Sequence, residues 1–578
     1  MFKPKAKSLF ALLLAGTMLF ATACGSDGKG SSTGGDSTGG DSAAVAGSET
    51  SNNGGSGSGI DMSNVNELGT VPILKEKKTL SVLIGTDTNI EDFKTNDYTK
   101  KLEEGANVDL DFQFLPAGDE GKQKLSVTIS SGGELPDLII RNLTPIETYV
   151  YGAQGVFLPL NDYIDSSYYT KNYLDTEDGQ GIMKYINSPD GNIYGWPRIC
   201  QDLGNDWDHR LWINKTWLDA VGMAIPTTTD EYYEALKAFK EKDPNGNGKN
   251  DEIPLVGNID GWNHSVWKPL LNAFTYVNDT FNYMQVAEDG SLQFSYMQPE
   301  FREGLEWLNK LSNEGLLSPL TFTQKQDQFK QMLENEEAQI IGSITAGSMS
   351  VYQVESKRKE DMTHMAPLVG PEGVQYTQYR ESGIPDFFAF ITKDCKDPVA
   401  AAMVLDYMWN RDMSLQARFG IKDEDWKTPE EGEKSMYADL GYDALVEYIN
   451  PIWGTLQNHH WGENHPSLRT YDFICGQTWN GNPYDSQYMT AQAVPEYVDK
   501  IPDKIVTRLI YTQEEADQIA EIQSTIETSY LPEAVASFVT GTRPLSDWDN
   551  YISELKNIGT DTYLQVATQA YQRMQEVK

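Results

Sequence analysis

The sequence predicts an α/β protein whose body is two lobes, and three observations carry that prediction. Apolar strand-like runs alternate with helical stretches between Thr79 and Ile140, a second alternation with its own apolar face runs from Leu211 to Ile341, and a late strand and helix, Phe387 to Trp409, offers small apolar residues for packing back on the first sheet. A chain of 578 residues is long enough for two such lobes.

In the first lobe, Thr79–Ile84 is a compact apolar run, and Val108, Leu110, Phe112 and Phe114 alternate with polar residues at period two, so both read as strands with a helix between. Leu138–Ile140 is a third, and helical spacers between strands predict a mostly parallel sheet. Gly155–Asp165 reads as a loop entering a helix, and Gly191–Arg198 (GNIYGWPR) as an aromatic turn broken by Pro197. The second lobe opens with a strand at Leu211–Asn214 and a helix from Lys215 that stops at Gly222. Thr228 and Glu231 then form a capping box for a helix whose apolar face is Tyr232, Leu236 and Phe239. Helices at Phe301–Leu311 and Gln326–Leu333 precede a strand near Ile340 and Ile341. From Thr512, capped by Glu515, to the end the pattern is helical, with Ser546–Lys556 and Tyr563–Met574 as clear segments. The expected boundaries are 61–208 plus about 386–430 for the first lobe and 209–385 plus about 431–578 for the second.

Ahead of the body, Lys3, Lys5 and Lys7 precede an apolar run from Leu9 to Phe20, too short to span a bilayer comfortably, which reads as a secretion signal over residues 1–23. It ends in Ala21, Thr22, Ala23 and Cys24, which resembles the lipobox of bacterial lipoproteins. That resemblance implies acyl chains on Cys24, palmitate among them, and anchoring on the outer membrane face, since two or more chains hold stably where one is marginal. The alternative is a plain signal peptide with an incidental cysteine. Residues 24–60 are almost entirely Gly, Ser, Thr, Asp, Asn and Ala, with no large apolar side chain before Ile60 apart from Val45, a disordered tether with a reach of roughly 30 to 35 Å.

A net charge of -39 excludes nucleic acid and acidic membrane surfaces as partners, because both repel the chain. Beyond Cys24 there are Cys200, Cys395 and Cys475, an odd number at no metal-like spacing, so at most one pair could form.

Several segments taken in order, SGGELPDLI (Ser131–Ile139), GVFLPLNDYI (Gly155–Ile164), DGNIYGWPR (Asp190–Arg198), LWINKTWLDAVGMAIPTTTDEYYEALKAF (Leu211–Phe239) and GTRPLSDWDNYISELKNIGTDTYLQVATQAYQR (Gly541–Arg573), resemble the extracellular (family 1) solute-binding proteins of ABC importers, the sugar-binding lipoprotein type. The resemblance implies a two-lobed periplasmic-binding-protein-like fold (type II), with mostly parallel sheets flanked by helices and a hinge between the lobes. It also implies a monomer that captures an oligosaccharide in the interlobe cleft, closes over it and delivers it to ABC transporter permease subunits without chemistry on the ligand. Cleft sites form at the carboxyl ends of strands and at lobe boundaries. This directs attention to Thr86, Asp87 and Thr88 after the first strand, Arg141 after the third, Trp196, Arg198 and Trp207 near the first crossing, and Tyr379 to Glu381 near another. Asp87, Trp196, Arg198, Trp207, Tyr379 and Glu381 are the expected ligand contacts, aromatic rings suiting the C–H faces of sugars.

DPNGNGKNDE (Asp243–Glu252) sets oxygen side chains at Asp243, Asn245, Asn247 and Asp251, with Gly246 and Gly248 permitting a tight turn around one ion, which resembles a calcium loop. It departs from the EF-hand pattern in having Pro254 where the bidentate Glu stands. The variant known within the family implies Asp243, Asn245, Asn247, the Lys249 carbonyl, Asp251 and Glu252 as structural Ca2+ ligands. The bland alternative is a polar turn ending a helix.

The competing functions are a polysaccharide hydrolase or lyase, for which no GxSxG outside the Gly/Ser-rich tether, no HExxH and no phosphate-cradling loop is apparent, and the same fold binding a peptide or other nutrient. His459, His460 and His465 with Glu463 match no standard zinc spacing.

Overall fold

The computed structural model describes residues 60–116, 118–353, 355–452, 455–462 and 464–576. The secretion leader, Cys24 and the tether up to residue 59 lie outside the described residues. The strands in chain order are β1 (Lys78–Gly85), β2 (Val108–Leu115), β3 (Leu138–Leu143), β4 (Trp196–Cys200), β5 (Arg210–Asn214), β6 (Ile253–Leu255), β7 (Met284–Val286), β8 (Leu292–Phe294), β9 (Ile341–Ala346), β10 (Met362–Met365), β11 (Asp386–Ile391), β12 (Trp426–Lys427), β13 (Glu447–Tyr448) and β14 (Leu468–Arg469).

Two mixed sheets organise the body. The first has the order β14-β4-β11-β3-β1-β2, the second β10-β5-β9-β6. In the first, β1 pairs parallel with β2 and β3, β14 pairs parallel with β4, and β11 runs antiparallel between β3 and β4. In the second, β6 and β9 are the parallel pair, and β5 lies antiparallel to both β9 and β10. β11 enters its sheet from the second lobe, so it arrives in the opposite sense to the strands fed by local helical crossovers.

Local signals in the chain set most elements. Asn96 caps the helix Asp97–Ala106 by accepting from the Tyr98 amide, and Asn107, at φ 58°, ends it in a left-handed turn. Thr228 and Glu231 form both halves of their capping box, and the helix Thr229–Glu241 buries Tyr232, Leu236 and Phe239. Gly222, at φ 74°, closes the helix Lys215–Val221. The helix Pro398–Tyr407 is buried nearly all round in the first core.

Three expectations change. The sheets, expected mostly parallel, are mixed, the second holding two antiparallel pairings to one parallel. The stretch read as an aromatic turn contains β4, with Pro197 inside it. Pro197 is tolerated there because β14 pairs β4 at Ile199 and Cys200, and β11 shifts register between Phe387 and Ala389 opposite it. The lobe boundary also moves: residues 455–470, expected with the second lobe, belong to the first. β14 extends the first sheet, and Trp461, fully buried, packs against Tyr98, Phe93 and Phe112 with ring centres 5.2, 5.7 and 5.7 Å away. Its indole N–H donates to Thr99 Oγ1 at 2.8 Å. The C-terminal helices pack mainly on the second core through Ile519, Phe538, Tyr551 and Tyr563, while Ile510 and Met574 join the first.

Candidate ligand cleft, hinge and cation loop

Three stretches join the sheets: 201–209 from β4 to β5, 366–385 from β10 to β11, and the exit of β14 through the helix Tyr471–Cys475, whose Cys475 sits in the core of the second sheet. One carboxylate touches all three. Asp206 accepts from the Ser382 amide at 2.6 Å and from the Tyr471 hydroxyl at 2.7 Å, and its own carbonyl accepts from the Arg380 amide at 2.9 Å. Asp202 adds a bond from its amide to Ser382 Oγ at 2.8 Å, and the Gln201 amide reaches the Arg469 carbonyl at 2.8 Å. Asp206 is 1% exposed, and burial pushes its carboxyl up to about 6.

The second-lobe wall lies at the carboxyl end of β9. Arg210, fully buried, donates to the carbonyls of Gly347 and Gly204, tying that strand end to the first crossing. Trp262 lies flat against Gly347, where a Cβ would come within 2.5 Å of the indole, so a side chain at 347 would displace the ring. The Gly347 amide donates to the Trp262 carbonyl at 3.1 Å, and the indole N–H donates to Asp208 Oδ2 at 3.2 Å. Trp262 is nevertheless 41% exposed. Burial works against the ionised Asp208, but the neighbouring His209 holds its carboxyl below the ordinary value. Beneath them, Asp279 bonds Lys268 and Gln378. Burial opposes its charge, and the Lys268 ammonium holds it down at about 2.

The first-lobe wall is the carboxyl end of β1. Asp87 is half-buried, accepting from the Asn89 amide at 2.8 Å and from Asn464 Nδ2 at 3.4 Å. Arg141, beside Gly85, donates to the Pro116 carbonyl at 3.3 Å.

The other expected contacts fare differently. Trp196 is a correction: with no exposed surface, it is a core residue of β4 that no ligand reaches. Arg198 stacks 4.1 Å over Phe388 and pairs with Asp386 at 3.2 Å, so its charge is engaged within the sheet. Trp207 is nearly buried, its ring 4.8 Å from that of Tyr379. Tyr379 remains half-buried and accepts at its carbonyl from Asn278 Nδ2 at 2.7 Å. Glu381, half-buried and pushed up by burial, faces the Tyr185 hydroxyl at 3.5 Å. Sequence reasoning missed Trp262 and Asp206. A tryptophan shortly after the short strand β6, directly behind Gly261, was the available signal for the first; nothing local marked the second.

The three histidines have separate settings. His459 bonds Asp425 at 2.7 Å, His460 accepts from the Gly462 amide at 2.9 Å, and His465 is buried between Tyr98 and Trp461. Burial pushes His460 down to about 3. Cys200, Cys395 and Cys475 are all unpaired thiols.

The loop after the helix Thr229–Glu241 turns through Asp243, Gly246 and Gly248 at φ 47°, 68° and 74°. Asp243 accepts from the amides of Asn247 at 3.2 Å and Gly248 at 3.0 Å. The side-chain amides of Asn245 and Asn247 donate to Asp251 at 3.0 and 3.1 Å, and the Lys249 ammonium pairs outward with Glu337 at 2.6 Å. Glu252 Oε1 is buried without a hydrogen-bond partner, and burial, reinforced by Asp251 and Asp243, raises its carboxyl. Among the described residues no three His, Cys, Asp or Glu side chains form a metal-holding group. Any cation here would therefore draw on carboxamide and carbonyl oxygens too. Asn245 and Asn247 Oδ1 accept from the amides of Asn247 at 3.0 Å and Lys249 at 2.7 Å, and the orphaned Glu252 oxygen, beside Asp243 and Asp251, is the observation that fits a hard cation.

Two main sheets with their own cores, joined by three crossings, define a two-lobed protein rather than a fold with one closed core. The chain belongs to the bacterial extracellular solute-binding proteins, whose family pattern matches residues 87–412, over half its length. It is 26% identical over 523 residues to the fructooligosaccharide ABC transporter substrate-binding protein FusA of Streptococcus pneumoniae serotype 4, covering 87% of this chain and 92% of that one. The structure of FusA in complex with kestose superposes with a TM-score of 0.68 at 22% identity, over 86% of this chain and all of that one. An extracellular solute-binding protein from Bifidobacterium longum subsp. infantis superposes with a TM-score of 0.72 at 20% identity, over 86% and 98% of the two chains. No helix among the described residues is long and apolar enough to cross a membrane.

Proposed function

We propose that this chain captures a neutral oligosaccharide between its lobes and hands it, unaltered, to the permease subunits of an ABC importer. The observation that carries this reading is Trp262, an exposed indole pinned flat at a strand end and bonded to a buried carboxylate in the crossing segment. A ring so held gives a sugar C–H face its stacking surface, and Asp87 and Asp208 supply acceptors for hydroxyl groups. The engagement of Arg198 by Asp386, which commits that cation within the sheet, supports a neutral ligand over an acidic one. Membership of a solute-binding family supports capture without turnover. The pneumococcal relative, named for fructooligosaccharides, supports a carbohydrate.

In the same reading the body works as a monomer, held at the outer membrane face by acyl chains on Cys24, and the loop Asp243–Glu252 holds a structural Ca2+ through Asp243, Asn245, Asn247, the Lys249 carbonyl, Asp251 and Glu252. A cation there would offset the like charge that Asp251 and Asp243 place beside Glu252 and pin the loop to the second lobe. The orphaned Glu252 oxygen supports this.

A thermal-shift screen against neutral and acidic oligosaccharides and peptides, with product analysis of each hit, tests the capture. A neutral oligosaccharide that raises the melting temperature and is recovered intact is the expected result. Accumulating fragments would make the chain an enzyme, and a response confined to peptides would reassign the ligand.

A further inference from the structure

The edge of the second sheet carries an aromatic ledge remote from the hinge. β10 is the edge strand; its Met365 end pairs with Leu211, next to the first crossing, and its Met362 end pairs with Asn214 at the far side. Past that far side runs the loop 479–485, WNGNPYD. Trp479 is 44% exposed and Tyr484 36%. One face of Trp479 is stacked on Tyr488, ring centres 4.7 Å apart at 19°, and its indole N–H donates to the Asn482 carbonyl at 3.0 Å.

The loop is braced from within. Gly481 takes φ 84°, the Asn482 amide donates to Asn480 Oδ1 at 3.0 Å, and the Tyr484 amide donates to Asn482 Oδ1 at 3.0 Å. Asp485 caps the following helix, Ser486–Ala493, accepting from the amides of Gln487 at 2.9 Å and Tyr488 at 3.1 Å. The Trp479 ring therefore holds its position without an external partner, the backbone that carries Tyr484 is braced beside it, and a ligand pays little ordering entropy to use the first ring.

Beside the rings lies a depression of about 530 Å³, lined by Tyr484, Tyr488, Thr216, Thr363 and Gln492. The charges at its rim cancel in pairs: Lys215 with Asp219 at 2.6 Å, and Glu360 with Lys357 at 2.8 Å. The Asp361 carboxylate, bonded to the Thr216 hydroxyl at 2.8 Å, adds negative charge beside these pairs and disfavours an anionic ligand. A protein partner would want a broad apolar patch, whereas here the rings, Met362, Pro483 and Met489 are interspersed with hydroxyls, a carboxamide and paired charges. The chemistry left is a flat C–H face with a hydroxyl edge.

We propose that this ledge is a second carbohydrate site, at which Trp479 and Tyr484 hold a neutral glycan chain on the outer side of the second lobe. It stands on observations separate from those that support the cleft. Stacking on a fixed ring while the rest of the chain stays solvated gives weak, length-tolerant binding, which suits retention of a long polymer rather than selection of its end.

Affinity electrophoresis of the full chain in native gels containing soluble inulin, arabinan, glucomannan or xyloglucan tests this. At least one polymer retards the wild type, and Trp479→Ala or Tyr484→Ala weakens the retardation about fivefold to tenfold, the loss of one stacking contact. Trp479→Phe retains most of it, and Trp262→Ala, in the cleft, leaves it in place. The exposed position of Trp479 predicts a melting temperature for Trp479→Phe within about 1 °C of wild type. Absence of retardation by all four polymers, equal retardation of Trp479→Ala and wild type, or loss of retardation in Trp262→Ala alone would overturn the proposal.

Discussion

Replacing Asp206 with asparagine tests whether the hinge carboxylate titrates as its burial dictates. The carboxyl has an ordinary value of 3.8 and stands at about 6 in the folded chain, burial being the main cause. Between those two values the folded molecule holds a proton that the unfolded chain has released. Stability from this group is therefore fully present below about pH 4, falls as pH rises through 6, and is gone above it. At about 1.4 kcal/mol per tenfold change in proton affinity the whole swing is about 3 kcal/mol, of which about 2 kcal/mol falls between pH 4.5 and 7.5. A body of roughly 500 residues has an unfolding entropy near 1 kcal/mol/K, so that part equals about 2 °C in melting temperature. The carboxamide of the Asp206→Asn variant has no proton to lose, and the other titrating groups cancel to first order when the two proteins are compared. Calorimetry at constant ionic strength should show wild type losing about 2 °C against Asp206→Asn from pH 4.5 to 7.5, on top of a constant offset from the altered hydrogen bonds to Ser382 and Tyr471. A difference flat to within about 0.5 °C would refute the argument.

Trp262→Ala is expected to weaken oligosaccharide binding about tenfold, read by calorimetric titration, and a variant that binds like wild type would remove this ring from the site. At 10 mM Ca2+ and an affinity of about 0.1 mM the cation adds about 2.7 kcal/mol, so chelation lowers the melting temperature by about 2 to 3 °C, and Asp251→Ala removes that response; an Asp251→Ala protein that still responds to chelation excludes the loop. Trp461→Ala removes a fully buried ring from the first core at a cost of about 3 to 5 kcal/mol, a fall of about 3 to 5 °C in the scan, and a negligible fall would contradict the placement of residues 455–470 in that lobe.

The elements legible in the sequence are those whose signals are local. Thr228 and Glu231 sit three residues apart and announce the helix they cap. Gly222 marks the end of its neighbour, and Gln326–Leu333 is bounded as its apolar spacing indicates. β4 was hidden because Pro197 argues against a strand unless the partner strand is known to be irregular opposite it. β14, two residues long, carries no period, and its place follows from pairing with a strand far earlier in the chain. The cleft was harder still. Asp206 is one acid among 85 Asp and Glu, and its role depends on Ser382 and Tyr471, 176 and 265 residues away. Trp196 misled in the opposite direction, since an aromatic at a strand end serves a core or a ligand depending on the face it takes in the sheet.

The geometry also couples the cleft to the hinge. Asp208, which receives the Trp262 indole N–H, lies two residues from Asp206 in the same crossing, and the Asn263 side chain fastens the Trp262 loop to the Asp208 carbonyl at 2.9 Å. A rotation of the second lobe about Asp206 therefore carries the Trp262 ring with it. Asp87, on the first lobe, stays with β1 and the Asn464 loop. A ligand that touches both Trp262 and Asp87 gains its second set of contacts only when the lobes close, so its differential affinity for the closed form is what drives closure. Because Asp206 binds backbone and side chain of the other two crossings at once, and each core packs on its own sheet, a closure of the lobes would turn about that point.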